Sequence, residues 1–155
     1  LGAKLVVVSV DRIAQHKRWK AALEEVNSNG WEKVKTTFPL AEDYTYTIAN
    51  SYEMLDSKTC VRQSIRGVFF IDPENKIRAF YFYPNEVGRN VDEVIRTLKA
   101  LQTNYANNRL MMPANWIPGE DAMIAHLTDE DKKEMLKENA GIYSLSWFMN
   151  YMRLK

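Results

Sequence analysis

The chain has 155 residues, of which 46% are apolar and 26% charged, a balance that excludes intrinsic disorder and gives one folded domain enough apolar side chains for a core. Twenty-one Lys and Arg against 20 Asp and Glu leave a net charge of +1, which argues against a general nucleic-acid footprint. No apolar run approaches membrane-spanning length and no signal peptide is read at the start, and a single cysteine, Cys60, allows no internal disulfide and fits a reducing compartment.

Lys4 to Val10 is a near-continuous apolar run, the pattern of a buried parallel strand, expected over residues 5–9. Asp11 is placed to cap the next element, in which Ile13, His16, Trp19, Leu23 and Val26 recur at helical spacing until Asn29-Gly30, predicting a helix over 12–27. A strand followed by a helix is half of an α/β unit. Thr36 to Ala41 reads as a short extended piece leading to Glu42-Asp43, and Tyr46 to Leu55 as a short helix with Tyr52, Met54 and Leu55 turned inward. Ser57 to Ser64 is polar and reads as a loop.

Ile65 to Tyr83 organises the rest. Two runs rich in Val, Ile, Phe and Tyr flank Asp72-Pro73-Glu74-Asn75-Lys76, where Pro presets a turn and Asn tolerates the left-handed region, so an antiparallel hairpin is expected with strands at 66–72 and 77–83. The first run is apolar throughout, as a central strand would be. The second carries apolar residues on both faces, which suits a strand covered on both sides or an aromatic surface for a partner. Asn90 then caps a helix over 91–105 whose stripe is Val91, Val94, Ile95, Leu98 and Leu101. From Arg109 onward Pro113, Pro118 and Gly119 interrupt regular structure while Met111, Met112, Trp116 and Ile117 stay apolar, so the segment should lie on a surface of its own or of a partner. Thr128 and Asp131 form a capping box opening a short helix from Asp129 to Asn139, and residues 141–152 are rich in aromatics and Met.

Several words of this sequence closely resemble the peroxiredoxins. They are Val8-Ser9-Val10-Asp11 followed by His16 and Trp19, Phe38-Pro39-Leu40-Ala41-Glu42-Asp43, Arg66-Gly67-Val68-Phe69-Phe70-Ile71-Asp72-Pro73, and Tyr83-Pro84 to Gly88-Arg89-Asn90-Val91-Asp92-Glu93-Val94-Ile95-Arg96. Pro113-Ala114-Asn115-Trp116-Ile117-Pro118-Gly119-Glu120 and the Tyr143 to Trp147 end look like the long C-terminal arm of the family's one-cysteine and archaeal-type branch. The resemblance implies an α/β fold of thioredoxin-like type, with a core at residues 1–108 and a dimerisation arm at 109–155. It also implies a thiol-dependent peroxidase reducing hydrogen peroxide and alkyl hydroperoxides with a thiol reductant, no cofactor or metal, a cytoplasmic location, and no nucleic-acid or membrane partner. The expected assembly is a homodimer or ring of dimers through Ile77 to Tyr83 and the arm.

The family's word Pro-x-x-x-Thr-x-x-Cys does not occur here, and the chain starts at Leu1 without Met. The resemblance therefore implies a peroxiredoxin lacking its first strand-helix unit, with the peroxidatic cysteine upstream of Leu1 and a vacant groove between residues 4–10 and 66–72. Glu53 stands where relatives usually carry Gly, and the arm lacks the resolving cysteines of some relatives near Tyr143 to Met149. By resemblance, Arg66 stabilises the thiolate and the peroxide, Arg89 assists, and His16 and Trp19 line the pocket; on the residues alone, Arg66 reads as an arginine pairing with a carboxylate at a strand start, and Arg89 as a partner of Asp92 or Glu93 in the following turn. Cys60, between Lys58 and Arg62, lacks the Pro-Thr context of the peroxidatic site and reads as an ordinary thiol. The alternative function is a non-catalytic binding or assembly module that keeps the dimer surfaces.

Overall fold

The structure is a computed structural model that describes residues 1–26, 33, 35–55 and 64–154. It divides into two compact units, one of residues 1–69 and 79–89, the other of 70–78 and 90–155.

In the first unit β1 (Val7–Ser9) pairs in parallel with β2 (Leu40–Glu42), in the register Val7 to Leu40 and Ser9 to Glu42. The parallel strand is as expected, but its burial is not: Leu5, Val6 and Val8 are all exposed, because β2 is the only described strand beside β1 and no apolar layer described within this unit closes over its side chains. α1 (Ile13–Glu25) follows, close to the expected span, and it too buries no residue. Its N-cap is Arg12 and not Asp11. Asp11 instead accepts from the Ser9 hydroxyl at 2.8 Å, while the free amides at the helix start go to carboxylate and amide oxygens from other positions: Ile13 N donates to Glu42 Oε2 at 2.9 Å and Arg12 N to Gln15 Oε1 at 3.2 Å.

α2 (Thr47–Ser51) is shorter than the 46–55 expected. Asp43, 4% exposed, fixes its start by accepting from Ile48 N and Ala49 N at 3.0 and 2.7 Å. Its end is set at Glu53, whose φ of 52° is the left-handed backbone that Gly adopts without strain. A Glu in this conformation carries a local backbone cost. Residues 56–63, including Cys60 and most of the expected polar loop, lie outside the described residues, as do Asn29 and Gly30.

β3 (Arg66–Ile71) and β4 (Ile77–Tyr83) form the expected hairpin as a separate two-stranded sheet. The turn is built by Asp72, whose Oδ1 accepts from Glu74 N and Lys76 N, both at 2.9 Å, and Asn75 takes the left-handed conformation at φ 62°. These bonds, the one to Lys76 N foremost, hold the Asp72 carboxyl below the usual carboxylate range. The apolar β3 has β4 as its only neighbour among the described strands, so the central position that its composition suggested is not seen. Within the first unit Phe69 stacks against Phe80 and meets Phe82 and Tyr52 edge-on, while Phe80 and Phe82 stay exposed.

The second unit holds α3 (Val91–Ala106), capped by Asn90 Oδ1 accepting from Glu93 N at 3.1 Å as the sequence implied. Beyond it lies more regular structure than the prolines suggested. β5 (Leu110–Met111), β6 (Ala122–Ile124), β7 (Ile142–Ser146) and β8 (Met149–Met152) make a four-stranded sheet in the order β5-β6-β8-β7. Leu110, Ala122, Ile124 and Ile142 are buried, whereas Met111, Met123, Tyr151 and Tyr143, each opposite the next, run as a row across the other face. α4 (Asp129–Met135) begins with the expected Thr128 and Asp131 capping box but is shorter than the 129–139 read from the sequence.

Candidate active site around Arg66 and Arg89

β3 begins with a charged residue followed by the smallest one, and both matter. Arg66 is exposed at the start of the strand. Gly67 beside it leaves its carbonyl open: Arg89 Nε and Nη2 both donate to Gly67 O, at 3.3 and 3.2 Å. A fork gripping one carbonyl with two N–H groups has little freedom, so the Arg89 guanidinium is fixed one residue from Arg66. Burial, with the positive charge of Arg66 as the second cause, pushes the Arg89 guanidinium below its ordinary range, against the opposite pull of Tyr83.

Neither arginine finds the carboxylate that the sequence allowed. Arg89 is directed at Gly67 O, and Glu93 is held by Arg96, whose Nε and Nη2 donate to its two oxygens at 2.6 and 2.8 Å. Among the described residues the Arg66 side chain has no hydrogen-bond or ion-pair partner. Two neighbouring guanidiniums with no acid bound to either among the described residues raise the local potential and favour an anion, or a group that becomes one during reaction.

Gly67 is also where another side chain closes in. A Cβ at this position would stand 2.6 Å from Met54 Sδ and Cε and 3.0 Å from a ring carbon of Phe69, so the strand can carry its carbonyl anchor here only with Met54 lying over a bare backbone. Neither the anchor nor the Met54 approach was read from the sequence; a Gly placed directly after an Arg in an otherwise bulky strand was the available signal.

His16 and Trp19, the other expected pocket residues, sit on α1. Trp19 is 50% exposed. The two ring nitrogens of His16 are shielded from solvent and have no hydrogen-bond partner among the described residues. Thus Arg66 and Arg89 are brought together, His16 and Trp19 stand on a helix that carries no buried residue, and Cys60 is outside the described residues.

The chain matches the AhpC/TSA family over residues 1–80 and the C-terminal domain of 1-Cys peroxiredoxin over residues 100–139. It is 38% identical over 152 residues to a peroxiredoxin of Methanosarcina mazei, covering 96% of this chain and 69% of that protein. It is 32% identical over 153 residues to peroxiredoxin 2 of Thermoplasma acidophilum, covering 99% of this chain and 72% of that protein. Among solved structures it resembles a yeast mitochondrial 1-Cys peroxiredoxin studied for thiol resolution via glutathione and thioredoxin systems, with TM-score 0.79 and 26% identity over 97% of this chain and 70% of that one. It also resembles a cysteine-to-serine mutant of peroxiredoxin 6 from Arenicola marina, with TM-score 0.77 and 27% identity over 99% and 71% of the two chains.

Proposed function

The chain belongs to the peroxiredoxin family of thiol-dependent peroxidases, with their thioredoxin-like α/β fold, and from that premise we propose that Arg66 is the guanidinium that serves both sulfur and peroxide. The observation that carries this role is its position: exposed at the start of β3, beside the fixed Arg89, with no acid partner among the described residues. A thiolate is the nucleophile in peroxide reduction, and a permanent positive charge beside it lowers the thiol pKa. As the sulfur attacks the distal oxygen the O–O bond breaks, the sulfur becomes a sulfenic acid, and the departing oxygen carries growing negative charge until it is protonated to water or an alcohol. Arg66 donates to that oxygen. Arg89, anchored on Gly67 O, keeps a second positive charge at the same place and orients the start of the strand.

The nucleophile in this reading is a cysteine upstream of Leu1. Two facts support it: the word Pro-x-x-x-Thr-x-x-Cys is absent from these residues, and the chain spans 69% to 72% of the two relatives described above. Cys60 has no role in it, and the chain alone is inactive. His16 and Trp19 line the pocket from α1, and the segment carrying the cysteine covers residues 4–10; the exposed Leu5, Val6, Val8 and Trp19 support both. Residues 1–108 act as the catalytic core and 109–155 as a dimerisation arm, a division supported by the separate match to the C-terminal domain of 1-Cys peroxiredoxin.

The chain works as a homodimer or ring of dimers through β4 and the arm. Exposed Ile77, Phe80 and Phe82 on β4, and Trp147, 90% exposed at the β7–β8 turn, support an assembly that covers apolar surface. The substrates are hydrogen peroxide and alkyl hydroperoxides, and the reductant is a thiol of the glutathione or thioredoxin kind, as for the yeast relative. No described helix is long and apolar enough to cross a membrane, and the cytoplasm, where thiols stay reduced, is the proposed compartment.

The test compares hydrogen peroxide consumption under excess thiol for this chain, its Cys60→Ser variant, and the polypeptide restored upstream of Leu1. Fast turnover only in the third, lowered by Arg66→Ala, is the expected result. Fast turnover in the first that disappears in the second would make Cys60 the nucleophile and overturn the reading.

A further inference from the structure

Gly67 is held from two sides by side chains of its own unit. On the carbonyl side Arg89 Nε and Nη2 donate to Gly67 O at 3.3 and 3.2 Å. Over the Cα lies the end of Met54: a Cβ built on Gly67 would meet Met54 Sδ and Cε at 2.6 Å and a ring carbon of Phe69 at 3.0 Å. The main chain brings Met54 to that place. Its amide donates to Ala49 O at 2.8 Å, and its carbonyl accepts at 2.9 Å from Ile65 N, one residue before Arg66. Leu55 then pairs with Ser64 as an antiparallel bridge, so residue 54 is tied both to α2 and to the entry of β3.

We propose that Met54 is a positioning residue of the peroxidase site: its thioether, seated on the bare backbone of Gly67, sets the peptide that Arg89 grips and the direction in which the neighbouring Arg66 leaves the strand. The inference rests on the peroxidase reading for what the two charges act on. Its physical basis is the conformational freedom of glycine. Without a Cβ, Gly67 lacks the steric guide that restricts φ and ψ in the other residues of β3, and Arg66 is the residue directly before it. Packing on one side and a two-pronged hydrogen bond on the other replace that guide. A methionine suits the task, because an unbranched, polarizable side chain settles closely on a backbone that carries no side chain of its own. Met54 needs no contact with substrate; it acts through Gly67.

The experiment uses the polypeptide restored upstream of Leu1, carrying Cys60→Ser so that residue 60 does not react. It measures kcat and KM for hydrogen peroxide under excess thiol, the pH dependence of thiol alkylation by iodoacetamide, and the melting temperature. Met54→Ala should lower kcat/KM about tenfold, by loosening the placement of the charges. It should also raise the apparent thiol pKa by about one unit, because a positive charge held less closely favours the thiolate less. Met54→Leu, of nearly the same volume, should restore most of both. Gly67→Ala drives the thioether off its seat and should show the same two losses with Met54 still present. Met54→Ala combined with Gly67→Ala, in which the new methyl takes up the space left by the thioether, should recover most of them. Parent values in both single variants, or a double variant whose loss is the product of the single losses, would overturn the proposal. So would losses that accompany a lower melting temperature while the thiol pKa stays put, the result of ordinary packing. Arg66→Ala on the same polypeptide separates the two readings. Turnover unaffected by Arg66→Ala removes the role given to Arg66, whereas turnover abolished by Arg66→Ala but indifferent to residues 54 and 67 removes this inference alone.

Discussion

The two units differ in how much apolar surface they bury and in how their arginines are paired. Of the residues that form the buried apolar core among those described, only Ala49 belongs to the first unit; Phe70, Leu110, Trp116, Ala122, Ile124, Ala140 and Ile142 belong to the second. The second unit also matches its charges internally. Arg96 is bound by Glu93 and donates to Trp116 O, Arg109 is bound by Asp131, and Arg153 donates to Ala140 O. In the first unit Arg66 has no such partner among the described residues, and Leu5, Val6, Trp19 and Phe80 face outward. A unit whose polar groups and core are satisfied from within persists by its own interactions. A unit that buries little of its apolar surface and holds an arginine with no acid partner among the described residues has its chemistry directed at what binds it.

Removing the centre of the satisfied unit should break this comparison most visibly. Trp116 is 2% exposed and its Nε1 donates to Glu120 O at 3.0 Å. Trp116→Ala should cost about 3–5 kcal/mol in denaturant unfolding of the second unit. In the polypeptide restored upstream, Arg66→Ala should lower peroxide turnover by about 10²–10³-fold while the melting temperature hardly moves, since a group aimed at substrate holds little of the fold. Retained turnover would place the anion-stabilising charge elsewhere.

Acid gives a graded test. Its bond from Arg109, then that from Thr128 N, holds the Asp131 carboxyl below the usual range. Its contribution is therefore complete above the unfolded value of about 3.9 and disappears as pH falls through the lower folded value. Unfolding of the second unit followed from pH 6 downward should show a loss of stability below about pH 4 that Asp131→Asn largely abolishes. Glu53→Gly should add about 1 kcal/mol by relieving left-handed backbone, seen as a raised denaturant midpoint. Smallest of all, Trp19→Ala should shift the stability of this chain by no more than about 0.5 kcal/mol, because a half-exposed side chain on a helix without buried residues has little packing to lose.

Elements whose signals are local were legible from the residues. The 65–83 hairpin carries its turn chemistry within five residues, and α3 announces itself through Asn90 and an apolar stripe. The sheet of the second unit was not legible, because its strands are only two to five residues long and gain their meaning from pairings such as Ala122 with Met152. The cap of α1 failed for a similar reason: Asp11 has the right chemistry at the right place, but Glu42, distant in sequence, reaches the helix start. At the site, nothing in the pattern of residues separates Arg66 from a strand-end arginine paired with an acid. The resemblance singled it out, and only the three-dimensional arrangement placed Arg89 on Gly67 O beside it.

The turn at Asp72 also bears on the order in which the chain acquires its structure. Its carboxylate binds amides two and four residues ahead, so the loop it closes is among the shortest in the molecule and costs little chain entropy. Hairpins of this kind form in about 1–10 μs, well before contacts between distant segments become productive. The β6–β8 pairing joins residues as far apart as Ala122 and Met152 and has to wait for much of the chain to be in place. During synthesis, then, the strand bearing Arg66 is organised while the residues that complete the second unit are still to be made.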